Sequence, residues 1–292
     1  MRLLALFLLL LIMGSMPMTA QRTDTLAVPQ GLRASLLVAS PGQEVYSVYG
    51  HAAFRLEYPA KHLDYCFTFE MSTDLSTELD FLRGRAKAGF TVAPTPLYLQ
   101  QYRQAGRGVV AYPLNLTSRE IQLLWRNLDQ ECAAGATWDY DYPGVNCASM
   151  CAYMLEKAVG DAGGTLTYER LSPLLRQGSY ADVVDTISQH SPWARLFWHV
   201  MIIGKDGTDA DPTNKMVPAT LAESLHHAVI RNGHQRRTVI TGQPSRLLPQ
   251  SLADEPCAFT PTMALALLIV VVVLAVVFVG RRLQKNKKKT NQ

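Results

Sequence analysis

The chain has 292 residues, with 28 Lys+Arg against 24 Asp+Glu for a formal charge of +4, and 48% hydrophobic residues. That is enough for one sizeable core or two small ones, and the composition excludes collagen-like, disulfide-dense and intrinsically disordered classes. A positive charge suits nucleic acid, but Arg281, Arg282, Lys285, Lys287, Lys288 and Lys289 crowd the last twelve positions and Arg2 stands at the other end. With those seven set aside, 21 basic residues face all 24 acidic ones across residues 21–262, a balance of −3, so no nucleic-acid partner is expected.

Residues 1–20 pair Arg2 with the apolar block Leu3 to Met13 and end in Pro17-Met18-Thr19-Ala20, the pattern of a secretory signal peptide. Cleavage is expected after Ala20. Met18 suits the minus-three position poorly, which keeps an uncleaved anchor as the alternative.

Residues 21–241 read as one exported domain. Leu32 to Ser40 has the character of a first strand. Val45 to Tyr58 predicts a second, with Ala52, Phe54, Leu56 and Tyr58 on one face and His51, Ala53, Arg55 and Glu57 on the other. Leu63 to Glu70 and Gly108 to Leu116 are further strand candidates. Thr117 and Glu120 have the spacing of a capping box, followed by Ile121, Leu124, Trp125 and Leu128 at helical intervals. Pro143-Gly144 leads into a second helix from Asn146 to Val159, with Met150, Tyr153, Met154 and Ala158 expected to face inwards. Leu196 to Gly204 is strand-like, and Leu221 to Ile230 predicts a short helix. Strands, two helices and strands again favour an α+β domain over a doubly wound sheet.

Residues 242–262, with Pro244, Pro249, Pro256 and Pro261, are expected to tether this domain. Residues 263–280 carry no charged side chain, and 18 residues of helix reach about 27 Å, enough for a bilayer core. The basic tail at 281–292 then predicts a single span with the tail in the cytoplasm and the domain outside.

Five cysteines (Cys66, Cys132, Cys147, Cys151, Cys257) are an odd number for an oxidising compartment, so at least one is expected unpaired or joined to another chain. No metal-ligand spacing is present, and no cofactor is expected. Two places could carry chemistry. His51 follows Gly50 at the start of an amphipathic strand. Cys147 falls in the first turn of a predicted helix, where backbone N–H groups favour thiolate and could hold an oxyanion. A cysteine nucleophile needs a histidine to take its proton. The plainer readings stay open: a packed or disulfide-bonded Cys147, with Cys66 or Cys132 as partner, and a His51 with only a structural role.

The stretch Tyr49-Gly50-His51-Ala52-Ala53-Phe54-Arg55 resembles a Gly-His-(small)-x-x-Arg strand. Phe81 to Gly84, Tyr102 to Arg107, Leu114 to Thr117 with Glu120, Tyr142 to Cys147, and Asp209 with Val217-Pro218 follow in order. Together they resemble the N-terminal periplasmic domain of Lnb-type lipoprotein N-acyltransferases over roughly residues 32–230. The sequence departs from that pattern at Met150, where an Arg is usual, and in Tyr65 to Phe69.

The resemblance implies a permuted papain-like fold with His before Cys. It also implies transfer of an acyl chain from membrane phospholipid to the N-terminal amine of a lipoprotein acceptor, on the periplasmic side of the inner membrane. It makes Cys147 the nucleophile and His51 its base, with Thr68 or Glu70 orienting the imidazole and Asp64 behind them. Arg55, Tyr49 and Asn146 become candidate substrate-binding residues, and Trp193, Phe197 and Trp198 candidates for an acyl groove. A papain-like cell-wall peptidase and a catalytically silent lipid- or protein-binding domain are the competing expectations. The oligomeric state is left open.

Overall fold

In the computed structural model, the alternating strand read from His51 onward forms the middle of a seven-stranded antiparallel sheet. The structure describes residues 31–42, 47, 49–72, 75–76, 80, 85–140, 144–169, 217–250, 267–275 and 277–278. The signal segment 1–20, the run Leu196 to Gly204 with Trp193, Phe197 and Trp198, Asp209, Cys257 and the tail 281–292 lie outside the described residues.

The elements follow in chain order as β1 (Arg33–Ala39), β2 (His51–Tyr58), β3 (Leu63–Met71), β4 (Lys87–Pro94), α1 (Thr95–Gln104), β5 (Val109–Pro113) and α2 (Ser118–Ala134). Then come β6 (Thr137–Asp139), α3 (Cys147–Asp161), β7 (Thr165–Tyr168), α4 (Pro218–His226), β8 (Ala228–Asn232), β9 (Gln235–Thr238) and β10 (Ser245–Leu248). The large sheet runs β10-β5-β1-β2-β3-β4-β6, and β7-β8-β9 form a second, smaller antiparallel sheet. The domain is therefore α+β with antiparallel sheets.

Because side chains alternate along β2, each face of the sheet builds its own core. Ala52, Phe54 and Leu56 join Leu36, Phe67 and Phe69 against Leu124 and Leu128 of α2, Met154 and Leu155 of α3, and Leu221 and Leu225 of α4. On the opposite face Ala53 packs with Leu37, Cys66 and Val109 against Tyr98 of α1. The site lies where these two layers meet at one end of β2.

Several expectations are corrected. Tyr153 is not inward: it is 53% exposed, while Met154 and Ala158 are fully buried and Met150 nearly so. The α4 helix stops at His226, and Ala228-Val229-Ile230 continues as a strand, as a β-branched run prefers; a tight Gly233-His234 turn then leads into β9. Ser245–Leu248, inside the stretch expected to be a tether, is an edge strand paired with β5. In the expected span, residues 267–275 and 277–278 are helical with large apolar side chains exposed, while 263–266, 276 and 279–280 lie outside the described residues. Among the described residues no helix is long and apolar enough to cross a membrane.

The capping box at α2 is present, with Thr117 Oγ1 accepting from Glu120 N–H and Glu120 Oε2 accepting from Thr117 N–H at 2.7 Å. Glu120 is almost fully buried, and both its carboxylate oxygens accept from Nη2 of Arg237 of β9, whose Nε donates to the Asn115 carbonyl at 2.9 Å. One carboxylate thus starts a helix and ties the small sheet to it. Breaking a buried ion pair on one side strands the other charge. Glu120→Ala is expected to lower unfolding stability by about 3 kcal/mol. Urea denaturation of the full-length protein in detergent checks this, and the double variant Glu120→Ala/Arg237→Ala is expected to lose less than the sum of the two single changes.

Candidate active site

Cys147 is fixed by the helix cap before it. Asn146 is extended (φ −142°), and its Oδ1 accepts from Ala148 N–H at 2.9 Å and Ser149 N–H at 3.0 Å. Ser149 Oγ returns the bond by accepting from Asn146 N–H at 2.9 Å. Asn146 is buried, so it serves here as a cap and not as an open substrate contact. The cap occupies the Ala148 and Ser149 N–H groups and leaves that of Cys147 itself outside its network. The Ala52 N–H, on the residue after His51 in β2, lies near enough to the Cys147 sulfur to favour its thiolate form.

His51 is placed by the turn before it. Gly50 N–H bonds the Ser47 carbonyl at 2.9 Å, and Gly50 has φ +85°. A Cβ at Gly50 would sit 2.5 Å from the Ala39 carbonyl oxygen, so only glycine lets the chain swing this tightly against β1. His51 then becomes the first residue of β2, opposite Ala39. Its Nε2 is hydrogen-bonded to Thr68 Oγ1 on β3, where Thr68 pairs with Ala53. That engagement leaves Nδ1 as the other ring nitrogen. Thr68 is buried, and the Tyr102 ring of α1 lies over the imidazole at 6.5 Å and 27°.

Arg107 completes the group. Its guanidinium lies 4.8 Å from the Tyr102 ring centre, and its Nε donates to the Ser40 carbonyl at 2.8 Å. Tyr102 in turn receives a 3.2 Å hydrogen bond from Tyr98. Burial pushes His51 down to about 3, helped by the Arg107 charge. Burial also raises the Cys147 thiol above its ordinary value, opposed by the N–H groups of Ala52, Ala148 and Cys147 and by Arg107. Desolvation outweighs the helix terminus, so the resting pair is thiol and neutral imidazole, not thiolate and imidazolium. Burial likewise drives the Tyr102 phenol up to about 12, so it stays a neutral donor.

A cavity of about 1020 Å³ opens beside this group, with Gly50, His51, Tyr102 and Arg107 on its wall. Met71, Leu75 and Phe90 supply apolar wall, and Glu70 also lines it. Cys147 is not on that wall; it stands at the start of α3, near the Ala52 N–H.

The candidate residues separate clearly. Thr68 meets the imidazole, whereas Glu70 accepts from Thr91 Oγ1 at 2.7 Å. Asp64 is held by Arg55 through bonds of 2.8 and 2.7 Å and by Thr95 Oγ1 at 2.5 Å. The Asp64 pair ties β2 to β3 four residues beyond His51, and Arg55 also pairs with Glu57 of its own strand at 3.1 Å. Tyr49 lies in the turn before Gly50 and does not line the cavity. Cys66, Cys132, Cys147 and Cys151 are all free thiols, which removes Cys66 and Cys132 as disulfide partners of Cys147. Among the described residues no cluster of His, Cys, Asp and Glu could hold a metal.

Sequence reasoning missed the roles of Tyr102 and Arg107 around the imidazole. Their only signal was a place in an ordered series of phrases, because the contact joins positions more than fifty residues apart.

No curated protein and no solved structure matches the chain. A family model described as the Lnb N-terminal periplasmic domain matches residues 20–177, more than half the chain, and covers every residue of the Cys147–His51–Thr68–Arg107 group. The chain therefore belongs to the family of the Lnb N-terminal periplasmic domain.

Proposed function

We propose that this protein is a thiol-dependent acyltransferase of the periplasm, held in the inner membrane by residues 263–280, that moves an acyl chain from phospholipid to the N-terminal amine of a lipoprotein. The observation that carries the reading is the placement of the Cys147 sulfur near the N–H of Ala52, the residue after His51, together with the bond of His51 Nε2 to Thr68 that leaves Nδ1 as the base. A helix-terminal cysteine, a strand-borne histidine and an orienting group are the parts of a papain-like site in permuted order.

In the first half of the cycle Nδ1 of His51 takes the Cys147 proton as sulfur attacks the ester carbonyl. The oxyanion forms within reach of the Cys147 N–H. Collapse expels the lysophospholipid alkoxide, which takes the proton back from His51, and leaves an acyl-thioester. In the second half the lipoprotein amine attacks the thioester, its proton passes through His51 to the departing sulfur, and an amide is formed. Because both resting groups are neutral, proton transfer accompanies attack; a dry site that never stores an ion pair also disfavours water as the second nucleophile. The exposed apolar helix at 267–275 and the basic tail after it support placing the domain beside its lipid substrates.

The test is mass spectrometry of lipoprotein N-termini from cells with the protein, without it, and with Cys147→Ser. N-acylation is expected with the native protein alone, and unchanged acylation in all three would overturn the reading. Thr68→Val is expected to lower kcat about 100-fold with KM little changed, and Thr68→Ser to restore most of it. Equal losses in Thr68→Val and Thr68→Ser would mean that the hydroxyl does not position the imidazole. The rate of Cys147 alkylation by iodoacetamide is expected to climb with pH through an inflection above the ordinary thiol value, since burial favours the protonated thiol. A rate already flat from pH 5 upward would instead reveal a thiolate–imidazolium pair.

A further inference from the structure

The cavity beside His51 carries two charged groups among its lining residues, Arg107 and Glu70. Arg107 is rigidly held by the Ser40 carbonyl and the Tyr102 face, yet its Nη2 is buried and has no hydrogen-bond partner. Among the described residues no carboxylate is salt-bridged to it. A buried charged donor without an acceptor is costly, and its fork geometry suits phosphate. Glu70 lies on the same wall, exposed, with one oxygen engaged by Thr91 Oγ1 and further lone pairs open to a cation. Neither residue is needed to explain the Cys147–His51–Thr68 geometry.

We propose that Arg107 and Glu70 form a head-group subsite, in which the Arg107 guanidinium takes a phosphate oxygen and Glu70 the ammonium of a zwitterionic phospholipid. This rests on the acyl-transfer reading for its consequence: the lipid is seated by its head group on the His51 side of the site. Arg107 acts in this subsite as a binding residue, held in place by the Ser40 carbonyl and the Tyr102 ring. A diacylglycerol, which lacks both charges, would enter the same cavity without this anchor. An anionic phospholipid with an uncharged head alcohol would gain Arg107 but leave Glu70 without a partner.

The test uses the full-length protein in detergent. Acylation of Cys147 is compared for phosphatidylethanolamine, phosphatidylglycerol and diacylglycerol of the same chains, and binding of glycerophosphoethanolamine and of inorganic phosphate is measured by calorimetry. Arg107→Gln is expected to lower the preference for phosphatidylethanolamine over diacylglycerol about ten-fold and to abolish glycerophosphoethanolamine binding. Glu70→Gln is expected to lower the preference for phosphatidylethanolamine over phosphatidylglycerol several-fold. Ratios between donors cancel any general effect of the Arg107 charge on the thiol, and Arg107→Lys, which keeps the charge but not the fork, is expected to recover part of the first ratio. Unchanged ratios in Arg107→Gln would overturn the subsite while leaving acyl transfer intact. Inorganic phosphate binding as tightly as glycerophosphoethanolamine would also overturn it, since the site would then serve free phosphate. If no donor acylates Cys147 but glycerophosphoethanolamine binds the native protein and not Arg107→Gln, the subsite stands and the transfer reading fails.

Discussion

The approach of the Cys147 sulfur to the Ala52 N–H is the contact on which the site depends. It joins a strand to a helix from the other side of the chain, and each partner is fixed independently. Gly50 at φ +85° starts β2 at the one place where the chain can approach Ala39, and the Asn146–Ser149 box starts α3 with Cys147 in its first position. The pairing of β2 with β3 then begins at Ala53 and Thr68, which sets Thr68 against the imidazole. A one-residue slip in either strand would turn Thr68 or His51 to the opposite face.

Electrostatics give this geometry its character. A helix N-terminus and a nearby Arg107 both favour thiolate, yet desolvation is the larger effect on Cys147 and on His51. Arg107 also disfavours imidazolium, so its charge does not help a resting ion pair form; it is better matched to a negative group brought in from outside. The same dryness that keeps the pair neutral would protect a thioester from hydrolysis until an amine arrives. The Cys151 thiol, one helical turn further along, is pushed well above its ordinary value by burial and stays inert packing in the core.

Much of the frame was legible from residue pattern. The alternation from Ala52 to Tyr58 revealed both faces of β2, and Thr117 with Glu120 marked the start of α2. The placement of His51 and Cys147 followed from a glycine before a strand and a turn before a helix. Legibility failed where long-range contacts decide the outcome. Helix α1 buries only Thr95 and Tyr98 among its own residues, so its apolar periodicity is weak. Strand β10 is a four-residue edge segment between prolines, and only the partner strand β5 makes it a strand. Tyr153 looked like a core residue because it is aromatic, but the helix turns it to solvent. Arg55 matched a substrate-binding role by its place on the His51 face, whereas Asp64 on the neighbouring strand neutralises it. Thr68 could be suggested as one of two residues on the next strand, but the register that separates it from Glu70 is a tertiary fact.

The net charge of +4 belongs to the chain's ends, and the body of the protein is mildly acidic, which leaves it no basic excess for nucleic acid. The central claim is that Cys147 carries an acyl group drawn from phospholipid. Its most direct test is intact-mass measurement of the protein after incubation with phospholipid and no amine acceptor. The account predicts one added acyl group on Cys147, removed by hydroxylamine, and absent as a thioester in Cys147→Ser. No adduct, or an equal hydroxylamine-sensitive adduct in Cys147→Ser, would contradict it.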